Sequence, residues 1–129
     1  MGHPNEDLLR SGYEAFATGD MATLNDLFAD NIVWHVPGSN LLSGDYHGKE
    51  EVFGFFGKVA ELTDGNFGLE IHDLLANDEH GVVLVKASGE RQGRTLTDNA
   101  VHVWHLDGGK ATEYWGHPGD QQATDGFWS

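Results

Sequence analysis

Apolar positions recur along this chain with two different periods, and the change of period divides it into a helical half and a stranded half. Leu9, Tyr13 and Phe16 fall at i, i+4 and i+7 with Leu8 beside them, the stripe of an amphipathic helix from about Asn5 to Thr18. Gly19 ends that helix. Asp20 is suited to cap a second one, in which Met21, Leu24, Leu27 and Phe28 share a face and Asp30-Asn31 closes the run. An aromatic strand follows, Ile32-Val33-Trp34-His35-Val36. Pro37 to Gly48, with Pro37-Gly38 and Ser43-Gly44-Asp45, reads as a loop. A third helix from about Lys49 to Leu62 presents Val52, Phe55, Phe56, Val59 and Leu62 on one side.

From Asn66 the period shortens to two. Phe67, Leu69 and Ile71 alternate with Gly68, Glu70 and His72, and Asn77-Asp78-Glu79 reads as a turn. Gly81 to Lys86 opens a second long strand, which Gln92-Gly93 turns into a third from Thr95 to Leu106. Asp107-Gly108-Gly109 joins that strand to a fourth, Lys110 to His117, as a hairpin. The stretch Pro118 to Ser129 is polar apart from Phe127-Trp128, whose rings are expected to dock the tail onto the body. Helices followed by a meander of strands predict an α+β fold in which one curved sheet closes over a helix layer and encloses a pocket. A single domain spanning residues 1–129 is expected, since a chain of this size buries roughly 68% of the surface its unfolded form exposes.

Composition narrows the function. Against 7 basic residues stand 21 acidic ones, a formal net charge of −14. Such a surface repels phosphate backbones and anionic membranes, so neither nucleic acid nor a membrane is an expected partner. The chain has no cysteine, which excludes disulfides, thiolate zinc sites and cysteine nucleophiles. Met1-Gly2-His3-Pro4 leads directly into a helix without a basic segment and apolar run, and no apolar stretch reaches membrane-spanning length; a cytoplasmic location is expected. Ser39 lacks the Gly-x-Ser-x-Gly turn of a serine hydrolase, and the 18 glycines are scattered at turns and helix ends rather than gathered in a phosphate-cradling loop. No cofactor is expected. Nor is a metal: His102 and His105 leave opposite faces of their strand, and no His–Glu pair has helical ligand spacing.

Phe16-Ala17-Thr18-Gly19-Asp20, Leu27-Phe28-Ala29-Asp30-Asn31-Ile32-Val33-Trp34, Gly48-Lys49-Glu50-Glu51-Val52 and Asp107-Gly108-Gly109-Lys110 occur in that order. In order and spacing they resemble the nuclear transport factor 2-like superfamily, and within it the SnoaL-like branch related to ketosteroid isomerases. The resemblance runs from about Leu8 to Trp115. It implies a cone of three N-terminal helices on a strongly curved, mostly antiparallel sheet, an apolar cavity at its open end, and a homodimer through the outer sheet face. It does not carry over the catalytic acids. In ketosteroid isomerases an Asp precedes a Pro at the end of the first strand, where this chain has Val36; the tyrosine of the first helix is replaced by Gly12, and the later acid by Val101 or His102. The Asp that follows a Trp on the last strand of SnoaL-like cyclases is replaced by Gly116. A limonene-epoxide-hydrolase-like Asp-Arg-Asp set is a weaker alternative, resting on Arg94 and Asp98.

Strand parity orders the remaining candidates. With Gly116 facing the cavity as its family counterpart does, Tyr114 and Thr112 share that face while Trp115 and Glu113 turn away. By the same rule His102 and Trp104 point inward together, as do Ile32, Trp34 and Val36, with His35 outside. Tyr13 and Phe16 join from the first helix. The expected ligand-binding set is Tyr13, Phe16, Trp34, Val36, Trp104 and Gly116, with His102 and Tyr114 as candidate catalytic residues: His102 to shuttle a proton and Tyr114 to donate to a developing oxyanion. The bland alternative is a half-buried His102 bonded to Tyr114 or a water. An apolar or aromatic small molecule is the expected partner. Two functions fit: an isomerase, cyclase or hydrolase of a ring-containing or carbonyl substrate, or a non-catalytic ligand sensor or interaction module.

Overall fold

The computed structural model describes residues 3–129. Helix α1 (Pro4–Thr18) starts at a reciprocal cap: the His3 ring accepts the Asn5 N–H at 3.0 Å, and the Glu6 carboxylate accepts the His3 N–H at 3.0 Å. It ends at Gly19, whose φ of 75° is the left-handed conformation that glycine adopts without strain. Asp20 caps α2 (Met21–Leu27) by accepting from the Thr23 backbone N–H and hydroxyl. There the first correction falls. Phe28 is not on the helix but opens β1 (Phe28–Val36), so Asp30-Asn31 lies within a strand. That strand pairs with a partner far along the chain through an irregular register between Phe28 and Val33, and the pairing overrides the turn-like local composition.

A second correction concerns the segment read as a loop. Gly44–His47 forms a short strand, β2, antiparallel to the end of β1. It leads into α3 (Gly48–Thr63), and then into β3 (Gly68–Ala76), β4 (His80–Arg91), β5 (Arg94–Asp107) and β6 (Lys110–His117). The six strands are ordered β2-β1-β6-β5-β4-β3, and all neighbours are antiparallel except β1 and β6. The tail, expected as a docked polar stretch, also carries a short helix, α4 (Gln121–Phe127). Phe127 and Trp128 are buried against Leu42, Val59 and Leu96 of their own chain.

The helix layer lies on one face of the sheet. Leu9, Phe28, Ile32, Val52 and Val83 have essentially no exposed surface, each stabilising the fold by about 1.5–3 kcal/mol through burial. Gly12 serves this packing: a Cβ there would sit 2.6 Å from Cδ2 of Leu27, so the glycine lets α1 and α2 approach. The bulge near Thr112 breaks the expected parity at the start of β6. Ala111, not Thr112, is fully buried there, and Thr112 turns to donate to the His105 carbonyl at 3.3 Å. No helix among the described residues is long and apolar enough to cross a membrane.

Candidate functional site

Cross-strand register brings three inward aromatics side by side. Trp34 of β1 is the partner of Tyr114 on β6, and Tyr114 is the partner of Trp104 on β5. The Trp34 and Tyr114 rings stack with centroids 3.7 Å apart, and Trp104 meets both edge-on at 5.4 and 4.9 Å. The next inward pair is His102 opposite Gly116. A Cβ at Gly116 would come within 2.9 Å of the Tyr114 hydroxyl oxygen. The phenol therefore lies along its own strand, over the position where an acidic side chain at residue 116 would project.

His102 has a positioned partner, though not the one expected. Its Nδ1 lies 2.6 Å from the hydroxyl of Tyr13 on α1, rather than bonding Tyr114. The same hydroxyl oxygen accepts the indole N–H of Trp104 at 3.1 Å. His102 is 8% exposed, and burial, assisted by the nearby His117, pushes its pKa down to about 3. Burial likewise raises Tyr13 well above the ordinary phenol value, helped by Tyr114 and opposed by the Trp104 hydrogen bond. Burial raises Tyr114 too. All three groups are uncharged near neutral pH.

These residues line one cavity of about 160 Å³. Tyr13, Phe16, Trp34, Val36, His102, Trp104, Tyr114 and Gly116 border it, whereas Ile32 and Thr112, also expected to face inward, do not line it. Phe55, Phe56 and Val59 of α3 complete the helix side. The tail, expected to dock on the body but absent from the expected ligand-binding set, brings Pro118, Thr124 and Trp128 to the wall. The pair Phe127-Trp128 was the only local signal for it.

The SnoaL-like domain family matches residues 9–114. The chain belongs to this family. An uncharacterized protein of Mycobacterium tuberculosis is 32% identical over 124 residues, 95% of each chain. Among solved structures, Bal32a from a soil-derived mobile gene cassette is 33% identical with a TM-score of 0.93, covering 97% of this chain and 96% of that one. An NTF2-like protein from Burkholderia xenovorans shares the fold at 21% identity and a TM-score of 0.82, covering 95% of this chain and 94% of that one. The nuclear transport factor 2-like cone is thus the fold of this SnoaL-like domain.

At the rim of this SnoaL-like cavity the acidic groups are occupied. Asp98 borders the cavity, but its two oxygens accept the backbone N–H groups of Gly119 and Asp120, each at 3.1 Å, and so tether the tail. Arg94 turns away, donating to the Gly126 carbonyl at 2.9 Å and the Ser129 hydroxyl at 2.8 Å. The Asp-Arg-Asp alternative is not assembled. Asp125 pins α4 to the 37–43 segment by accepting from Asn40 Nδ2 and the Ser39 N–H; these bonds, Asn40 foremost, hold its carboxyl below the usual range.

On the opposite face of the sheet His35 stands between two carboxylates. Its Nδ1 is 2.7 Å from Asp45 of β2, and its Nε2 is 2.7 Å from Glu113 of β6. Burial alone would lower its pKa, but the hydrogen bonds to Glu113 and Asp45 outweigh that and raise it. His105 lies 3.5 Å from the other Glu113 oxygen, and Trp115 stacks on His35. Among the described residues, no group of three or more His, Asp or Glu side chains has the arrangement to hold a metal ion.

Proposed function

We propose that this SnoaL-like domain binds a small, uncharged, ring-containing or carbonyl compound in the aromatic cavity and acts on it as an isomerase, cyclase or hydrolase. Trp34 and Trp104 supply ring surface, while His102 and Tyr114 meet the polar group. The observation that carries this reading is a hollow of about 160 Å³ walled by aromatic and aliphatic side chains, with the His102 imidazole and the phenols of Tyr13 and Tyr114 set among them. Burying a charged ligand against such a wall would be costly. With its pKa held low by burial, His102 is a weak proton acceptor, and its contribution is a hydrogen bond from its ring N–H to an oxygen on which charge develops.

A second reading, a ligand sensor without chemistry, is favoured by a specific observation. Val36, Gly12 and Gly116 stand where the resemblance to ketosteroid isomerases and SnoaL-like cyclases implies acid–base groups, and the rim carboxylate of Asp98 is already bonded to the tail backbone. A thermal-shift screen of neutral ring and carbonyl compounds, followed by mass analysis of each stabilising compound, separates the two. A ligand at a hundred times its Kd adds about 2.7 kcal/mol of stability. Conversion supports the enzyme, and unchanged recovery supports the sensor. Stabilisation by charged hydrophilic compounds alone would overturn both. The proposal extends to a homodimer through the outer sheet face, where Val101, Val103 and Trp115 are half-buried in the single chain. Sedimentation showing only monomer at micromolar concentration would contradict that part.

A further inference from the structure

We infer that Tyr13 is a positioning residue that fixes the ring tautomer of His102, so that the cavity offers an imidazole N–H and selects neutral one-ring compounds bearing an acceptor oxygen. The ligand half of this inference rests on the ring-binding reading above; the tautomer half does not. The argument is one of donors and acceptors. An indole N–H can only donate, so the Trp104 nitrogen at 3.1 Å occupies a lone pair of the Tyr13 oxygen. The phenol proton must then point elsewhere. Among the described residues its acceptor is Nδ1 of His102, at 2.6 Å. The reverse arrangement, with Nδ1 donating, would leave a buried hydroxyl hydrogen facing no acceptor, which costs its desolvation.

With Nδ1 accepting, a neutral imidazole carries its proton on Nε2. That nitrogen has no partner among the described residues. It is also not one of the sealed, unpartnered side-chain atoms, which are Trp34 Nε1, Arg91 Nε and Thr124 Oγ1, and His102 borders the cavity. The Nε2–H therefore opens onto the hollow. The Tyr114 hydroxyl is unpartnered in the same way, with its ring edge-on to His102 at 5.1 Å. Burial keeps His102 uncharged, so the donor persists across ordinary pH. A hollow of about 160 Å³ is close in size to the roughly 150 Å³ apolar cavity known to take one benzene ring. A site built around an unmet donor discriminates against a ligand of the same shape that lacks the acceptor.

Acetophenone and α-methylstyrene are suited to the test, because they differ in C=O against C=CH2 at nearly equal shape. In the free protein, nitrogen NMR of the imidazole should show Nδ1 as the unprotonated nitrogen of His102 and Nε2 as the protonated one. Titrations followed by tryptophan fluorescence should show acetophenone bound about tenfold more tightly than α-methylstyrene, the worth of one hydrogen bond. Tyr13→Phe should mix the two tautomers and bring the preference between the two compounds toward parity. Trp104→Phe, which frees the Tyr13 oxygen but keeps a ring, should weaken the bias partway. A protonated Nδ1 in the wild-type protein would overturn the inference whether or not a variant folds, and so would an undiminished preference in Tyr13→Phe. If neither compound binds while the nitrogen pattern is as expected, the ring-binding reading and the selectivity fall together, and the tautomer assignment stands on its own measurement.

Discussion

His102 and His35 occupy opposite faces of one sheet, and their contrast shows how strand parity sets the chemistry of a side chain. His102 points inward, where its Nδ1 meets a neutral phenol and burial removes its charge. His35 points outward, where both ring nitrogens lie 2.7 Å from carboxylates. Ionised carboxylates only accept, so this placement favours protons on both nitrogens and raises the pKa of the ring. The inner face is consequently a neutral, apolar wall with a few directed polar groups. The outer face is a screened, titratable surface. The net charge of −14 describes the second and says nothing of the first.

The largest expected effect tests the packing side of that contrast. Trp104→Ala should destabilise by about 3–5 kcal/mol through the cavity it leaves, whereas Trp115→Ala on the outer face should cost the single chain roughly 1 kcal/mol; urea unfolding at protein concentrations low enough to keep the protein monomeric measures both. Equal losses would mean that the two faces are not differently packed. The next effect concerns protons. Because the folded-state pKa of His102 is about 3, below the unfolded value of 6.5, the unfolded chain takes up the proton first. The contribution is fully present above pH 6.5 and shrinks as pH falls, by on the order of 4 kcal/mol at pH 3. Urea unfolding of His102→Phe between pH 7 and 4 should lack this component of the acid sensitivity. His35 runs the other way: its raised pKa gives stability that is present below pH 6.5 and lost as pH rises through the folded value. Because His35 is 26% exposed and its partners reach solvent and salt, its loss in His35→Gln should stay under about 1 kcal/mol and vanish in alkaline solution.

Much of this was legible in the order of residues. Alternation along Ala100 to Leu106 placed His102 and Trp104 inward, and helical spacing put Tyr13 and Phe16 on the stripe that meets them. What escaped is what depends on distant partners. Asp30-Asn31 reads as a helix end until β6 pairs alongside β1. Gly44-Asp45-Tyr46-His47 has a turn's composition and becomes a strand only by pairing with the end of β1. The residues of α4 have little helical signal and are held by Asp125, Asp98 and the buried Phe127-Trp128. The Tyr13–His102 bond spans 89 positions, and local periodicity cannot say which polar atoms meet.

The contrast between the two faces can be read in one experiment, an NMR titration of the histidine ring protons in the folded protein from pH 8 to pH 4. The account predicts that the His102 signals stay at their uncharged positions throughout and that His35 titrates with a midpoint above 6.5. A His102 midpoint near 6.5, or a His35 ring already neutral at pH 6, would contradict it.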